Sequence, residues 1–115
     1  MAHTHTVNLL FVCSRNQWRS PTAEKIFGDQ SGFSTRSAGT SSSARKRVSA
    51  ADIDWADVIL VMEKRHRELL LKDYSHQLRL KQLHVLDIPD QYEFMDPELV
   101  EELRATVEPI LNRFR

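Results

Sequence analysis

Residues 7–13 (VNLLFVC) and 57–62 (DVILVM) are short, nearly continuous apolar runs. Runs of this length suit strands buried on both faces of a parallel sheet. Residues 83–88 (LHVLDI) form a third run, and 33–39 (FSTRSAG) a more polar one closed by Gly39. Between these runs the period changes. In 21–30 (PTAEKIFGDQ), Ala23, Ile26 and Phe27 give one apolar face, with Gly28 or Gly32 near the end. Ser20 reads as the N-cap of this helix and Pro21 as its first residue, because proline's missing N–H costs nothing there. Residues 48–56 (VSAADIDWA) hold a candidate short helix, and 64–74 (KRHRELLLKDY) are helical in character. The clearest helix lies within 95–114, where Leu99, Leu103, Val107, Ile110 and Phe114 recur at helical spacing. Asp96 and Pro97 read as its N-cap and first position, and Pro109 is expected to bend it. Residues 40–47 (TSSSARKR) are polar loop.

Strands that alternate with helices imply crossover units. The expected fold is therefore α/β: a four-stranded parallel sheet flanked by helices on both faces. Ligands of such sheets bind at the carboxyl ends of the strands. Cys13, Gly39, Glu63 and the loop 87–97 must gather along that edge.

Composition narrows the picture. A length of 115 residues favours one domain, with 1–6 (MAHTHT) read as a disordered tail. Sixteen basic and sixteen acidic side chains cancel, so no whole-protein field favours nucleic acid. No apolar stretch approaches the roughly 20 residues that span a bilayer. No secretory segment follows the start, so a cytoplasmic protein without a membrane partner is expected. No long apolar stripe marks a dimer face. The single cysteine, Cys13, has no partner for an internal disulfide and is either packing or chemistry.

The segment CSRNQWRSP (13–21) favours chemistry. A strand ends at Cys13 and a helix begins directly after Arg19. Backbone N–H groups of Ser14, Arg15, Asn16, Gln17, Trp18, Arg19 and Ser20 can converge into an anion cradle. The helix N-terminus adds its dipole, and Arg19 adds a planar fork that matches two phosphate oxygens. The same field lowers a thiol's pKa, and the Ser20 hydroxyl is placed to donate to the sulfur. Together these groups describe a thiolate nucleophile inside an oxyanion site, suited to a phosphate monoester. No metal or other cofactor is implied.

A leaving oxygen needs a proton from an acid across the cleft. Residues 86–97 (LDIPDQYEFMDP) offer Asp87, Asp90 and Asp96. Asp96 is accounted for as a helix cap, and Asp87 ends a strand. Asp90, following Pro89 in irregular chain, is the chosen acid. It could later activate water against a cysteinyl-phosphate. Tyr92 either walls the entrance or packs in the loop. Residues 44–47 (ARKR) either contact an acidic partner or the substrate's flank, or form a solvated loop, the commoner explanation. His66, His76 and His84 lack the spacing of a helical metal site and read as surface or packing residues. Trp55 reads as a core plug near the third strand.

VCSRNQWRSPTAE (12–24), RSAGTS (36–41), WADVILVME (55–63) and IPDQY (88–92) together resemble the low-molecular-weight protein tyrosine phosphatase family, in its short bacterial form. The resemblance implies the α/β fold above, a cysteinyl-phosphate intermediate and no metal. It implies Cys13 as nucleophile, Arg19 as phosphate-binding arginine and Asn16 as the loop-supporting asparagine. Ser20 falls on the thiolate's hydroxyl partner, Ser37 on the serine behind Asn16, and Asp90 on the acid. The family's usual Asp-Pro pair stands instead at 96–97. Three departures have consequences. Ser14 and Gln17 replace apolar residues and predict a polar wall that holds a phenyl ring less well. Trp18 replaces the second loop cysteine, so over-oxidation of Cys13 is the expected lesion. The short stretch between Thr40 and Trp55 predicts a shallow, open site.

The leading reading is thus a cysteine-dependent hydrolase acting on a phosphorylated protein or small phosphomonoester, with phosphotyrosine as the favoured target. An arsenate reductase would need an external thiol to work with Cys13 alone. A cysteine phosphocarrier is disfavoured by the arginine clamp, and a passive phosphate-binding module by the presence of both nucleophile and acid.

Overall fold

The computed structural model describes residues 6–115, and the tail expected at 1–6 falls outside them except for Thr6. In chain order the elements are β1 (Val7–Cys13), α1 (Arg19–Gly28), β2 (Phe33–Gly39), α2 (Ala50–Trp55), β3 (Val58–Val61), α3 (Lys64–Leu78), β4 (Gln82–Val85) and α4 (Pro97–Asn112). The strands form one sheet in the order β2-β1-β3-β4, and every pairing is parallel. The fold read from the hydrophobic pattern is the one observed.

The pleat divides the core in two. Leu9, Phe11 and Cys13 of β1 face the cluster that holds Ala23 and Phe27 of α1 and Leu99, Leu103 and Val107 of α4. Leu10 and Val12 face the other, with Ile53 and Leu70. This is why β1 is apolar at consecutive positions: both of its faces are covered. The alternation also sends Cys13 to the α1 side of the sheet, where the following loop turns.

Three details differ from the sequence reading. α1 starts at Arg19 behind Trp18, and no side chain caps it. Ser20 is therefore not the N-cap; its hydroxyl is engaged with the loop instead. β4 ends at Val85 rather than at residue 88. Leu86 and Ile88 still donate backbone bonds to Val61 and Met62, but Asp87 at φ +57° breaks the regular strand. α3 continues past the expected segment to Leu78, with Tyr74 non-helical inside it (φ −133°, ψ 26°). α4 runs through Pro109 to Asn112. Asp96 accepts from the Glu98 N–H at 2.9 Å, as its reading as a cap requires. Among the described residues, no helix is long and apolar enough to cross a membrane.

Candidate active site

The loop after β1 folds back over its own first residue. Asn16 takes φ +56°, a left-handed conformation that asparagine tolerates better than most residues. That turn brings the Asn16 N–H to 3.2 Å from the Cys13 sulfur. Ser20 Oγ lies 3.0 Å from the same sulfur.

The surrounding bonds limit where the Ser20 hydroxyl can point. Ser37 donates to Glu24 Oε1 at 2.6 Å. The Asn16 amide nitrogen then donates both to Ser37 Oγ at 2.8 Å and to Ser20 Oγ at 2.9 Å. Ser20 accepts from Asn16, and its own proton has two acceptors in reach, the Cys13 sulfur at 3.0 Å and the more distant Ala38 carbonyl at 3.4 Å. The Glu24 carboxylate, three side chains from the sulfur, thus orients a chain that reaches Cys13. Asn16, Ser20 and Ser37 are all buried, so the chain is shielded from competing water.

Arg19 is 2% exposed. Its Nη1 donates to Glu63 Oε2 at 2.5 Å and to the Ile88 carbonyl at 2.8 Å. Both protons of that nitrogen are spent on the scaffold. The Nε–Nη2 edge remains as the two-pronged donor for an oxyanion. Burial pulls the Glu63 carboxyl up, but the Arg65 and Arg19 guanidiniums beside it prevail and hold it below the usual range.

Asp90 comes from the other side of the cleft. Its Oδ1 lies 3.7 Å from Arg19 Nε, and its side chain is half exposed. The loop that carries it is tied to α1 through the Met95 N–H, which donates to Thr22 Oγ1 at 2.9 Å. Cys13, Ser14, Arg15, Gln17, Trp18, Arg19 and Asp90 line one small cavity of about 30 Å³. Asp96 serves its helix as the cap. Tyr92 is 8% exposed and packs in the core cluster, which decides between its two readings in favour of packing.

Two residues of the site escaped the sequence reading. His66 is fully buried, not a surface group. Its Nδ1 accepts the Glu63 N–H at 3.0 Å, so the ring proton sits on Nε2 and points to Ser14 Oγ at 2.8 Å. Burial and the Arg19 and Arg65 charges push its pKa down to about 4, and it stays neutral near pH 7. This bond also turns the Ser14 hydroxyl inward, so the polar wall expected at Ser14 is satisfied by protein. Glu63 was expected at this edge, but not as the clamp on Arg19. The pair Glu63-x-x-His66 at a helix start is the legible signal: the third helical side chain reaches back to the N-cap N–H, half of a capping box.

The basic loop is not simply solvated. Arg45 donates its N–H to the Arg15 carbonyl at 3.0 Å and its Nε to the Asn16 carbonyl at 3.0 Å. Lys46 is held by Asp52 at 2.9 and 3.1 Å. Trp55 packs against the α2–α3 side of the core, with the Arg36 guanidinium 4.2 Å from its ring centre. His76 is exposed and His84 half-buried.

The chain matches no protein-family model, and no curated protein matches it either. Solved structures do. The low molecular weight protein tyrosine phosphatase of Streptococcus pyogenes is 19% identical and superposes with a TM-score of 0.79 over 96% of this chain and 94% of that one. The low molecular weight protein tyrosine phosphatase of T. tengcongensis is 19% identical, with a TM-score of 0.75 over 94% of this chain and 99% of that one. The YwlE arginine phosphatase of Geobacillus stearothermophilus is 19% identical, with a TM-score of 0.69 over 93% and 94%. The chain therefore has the low-molecular-weight protein tyrosine phosphatase fold over nearly its whole length, as its motifs implied.

Proposed function

We propose that this protein is a cysteine-dependent phosphomonoester hydrolase that acts on phosphorylated protein. The observation that carries the reading is the convergence of Cys13, the free edge of Arg19 and Asp90 on one cavity at the N-terminus of α1. A phosphoryl group seated on the N–H groups of residues 14–20 places its phosphorus above the sulfur. Ser20 and the Asn16 N–H steady the thiolate, and Arg19 takes the charge that spreads over the equatorial oxygens. As the sulfur–phosphorus bond forms, the phosphorus–oxygen bond to the leaving group breaks, and Asp90 supplies the proton. Asp90 then accepts a proton from water, which attacks phosphorus and returns Cys13. A cysteine nucleophile that must stay reduced suits a reducing compartment such as the cytoplasm.

Phosphotyrosine is the favoured target. Trp18 lines the cavity and is 44% exposed, which offers a flat apolar wall to a phenyl ring. The structural neighbours include both tyrosine phosphatases and an arginine phosphatase, so the test uses both chemistries. Purified protein is assayed on matched phosphotyrosine and phosphoarginine peptides, alone and as Cys13→Ser. The reading expects release of phosphate from the tyrosine peptide and a loss of at least a thousandfold in the variant. Equal release by Cys13→Ser refutes the mechanism; preference for phosphoarginine keeps the mechanism and changes the target.

A further inference from the structure

A second concavity adjoins the cavity of Cys13. It has a volume of about 440 Å³ and is lined by Gln17, Pro21, Glu24, Lys25, Arg45 and Phe94. Gln17 lines both spaces, so the two are neighbours across that side chain. We propose that this groove binds an acidic side chain of the polypeptide that carries the phosphoryl group. The proposal rests on the phosphatase reading above and adds to it the sequence context of the substrate: an acidic residue near the phosphorylated one.

Charge and shape support this occupant. Among the described residues, Lys25 and Arg45 form no ion pair, so neither charge is neutralised by a carboxylate of the protein. Arg45 is held at the rim by its Nε on Asn16, which leaves its two terminal nitrogens for a carboxylate. The groove's own acid, Glu24, is engaged by the scaffold through one oxygen: its Oε1 accepts the Ser37 hydroxyl at 2.6 Å. Two cations against one carboxylate leave the lining net positive. Phe94 is 47% exposed, an aromatic ring left open where it could cover the aliphatic stem of a bound glutamate. A small phosphomonoester would occupy the 30 Å³ cavity and leave the groove untouched.

The test compares phosphotyrosine peptides that differ in one position, glutamate against alanine, with that position walked along both sides of the phosphorylated residue. Binding is measured by fluorescence anisotropy on Cys13→Ser, which holds substrate without turning it over, and on the same protein with Lys25→Glu. Lys25 is exposed, and its replacement is expected to leave folding intact. At one or two positions the glutamate peptide should bind about three- to fivefold tighter, the scale of one partly exposed ion pair. The preference should shrink in high salt and vanish in Lys25→Glu. Hydrolysis of an aryl phosphate by Lys25→Glu with Cys13 intact should match the parent. Equal affinity for glutamate and alanine peptides at every position, or a preference that survives Lys25→Glu, overturns the proposal. Absence of aryl phosphate hydrolysis in the parent overturns the phosphatase reading instead, and peptide affinity still decides the groove.

Discussion

His66 gives the sharpest prediction about stability. It is fully buried, bonded through both ring nitrogens, and titrates at about 4 in the folded protein against about 6.5 in an unfolded chain. Between those values the unfolded state holds a proton that the folded state does not. Stability must therefore fall as pH drops below about 6.5, and this loss is complete below about 4. Integrated from pH 7 to pH 5, the loss is about 2 kcal/mol. That is a large share of the stability of a small domain, and it moves a urea midpoint by on the order of 1 M. His84, pulled down by burial and by Arg113, adds a slope of the same sign. The perturbation is His66→Gln, whose amide can donate to Ser14 but cannot charge. Urea unfolding followed at pH 7, 6 and 5 should show His66→Gln starting lower and losing about 2 kcal/mol less than the parent over that range. Identical pH dependence in the two proteins would refute the argument that His66 is held neutral.

Gly39→Ala should dismantle the phosphate loop: an added Cβ would stand 2.5 Å from the Ser14 carbonyl oxygen and 2.6 Å from Ala44 Cβ. Calorimetric titration with vanadate should show at least tenfold weaker binding, with a stability loss of about 1–3 kcal/mol; unchanged binding would mean the loop adjusts freely. Leu103→Ala removes a fully buried side chain between α4 and the sheet, and denaturant unfolding should register about 2–5 kcal/mol. Asp90→Asn should slow aryl phosphates with poor leaving groups far more than activated ones, read as a steeper dependence of kcat on leaving-group pKa. An equal effect across the series removes Asp90 as the acid.

What could be read from the sequence was whatever local pattern alone determines. β1 and β3 announce themselves because both faces of a central parallel strand are covered, so every position but Asn8 is apolar. α4 does so because its stripe of Leu99, Leu103 and Val107 is buried on one side only. Cys13, Arg19 and Ser20 were legible as one unit, since a single loop and helix start contain them. Ser20 was rightly placed beside the sulfur but misread as a cap as well: a serine before a proline satisfies the capping rule, and nothing local says that the helix already starts at Arg19. The bonds by which Glu63, His66, Glu24 and Arg45 hold the loop were not legible. Each residue acts on the loop from a separate segment, and such contacts exist only once the parallel sheet brings β1, β2 and β3 side by side. Asp90 was reached by excluding its neighbours, and its position beside Arg19 depends on a tether from Met95 to Thr22 that no spacing rule reveals.

The nucleophilic role of Cys13 is tested most directly by catching the bond it should form. Asp90→Asn is mixed with an aryl phosphate, quenched in acid within a turnover, digested and examined by mass spectrometry. A phosphoryl adduct on the peptide that contains Cys13, formed and lost at the rate of turnover, is the expected result. Phosphate released at the same rate with that peptide never modified would contradict it.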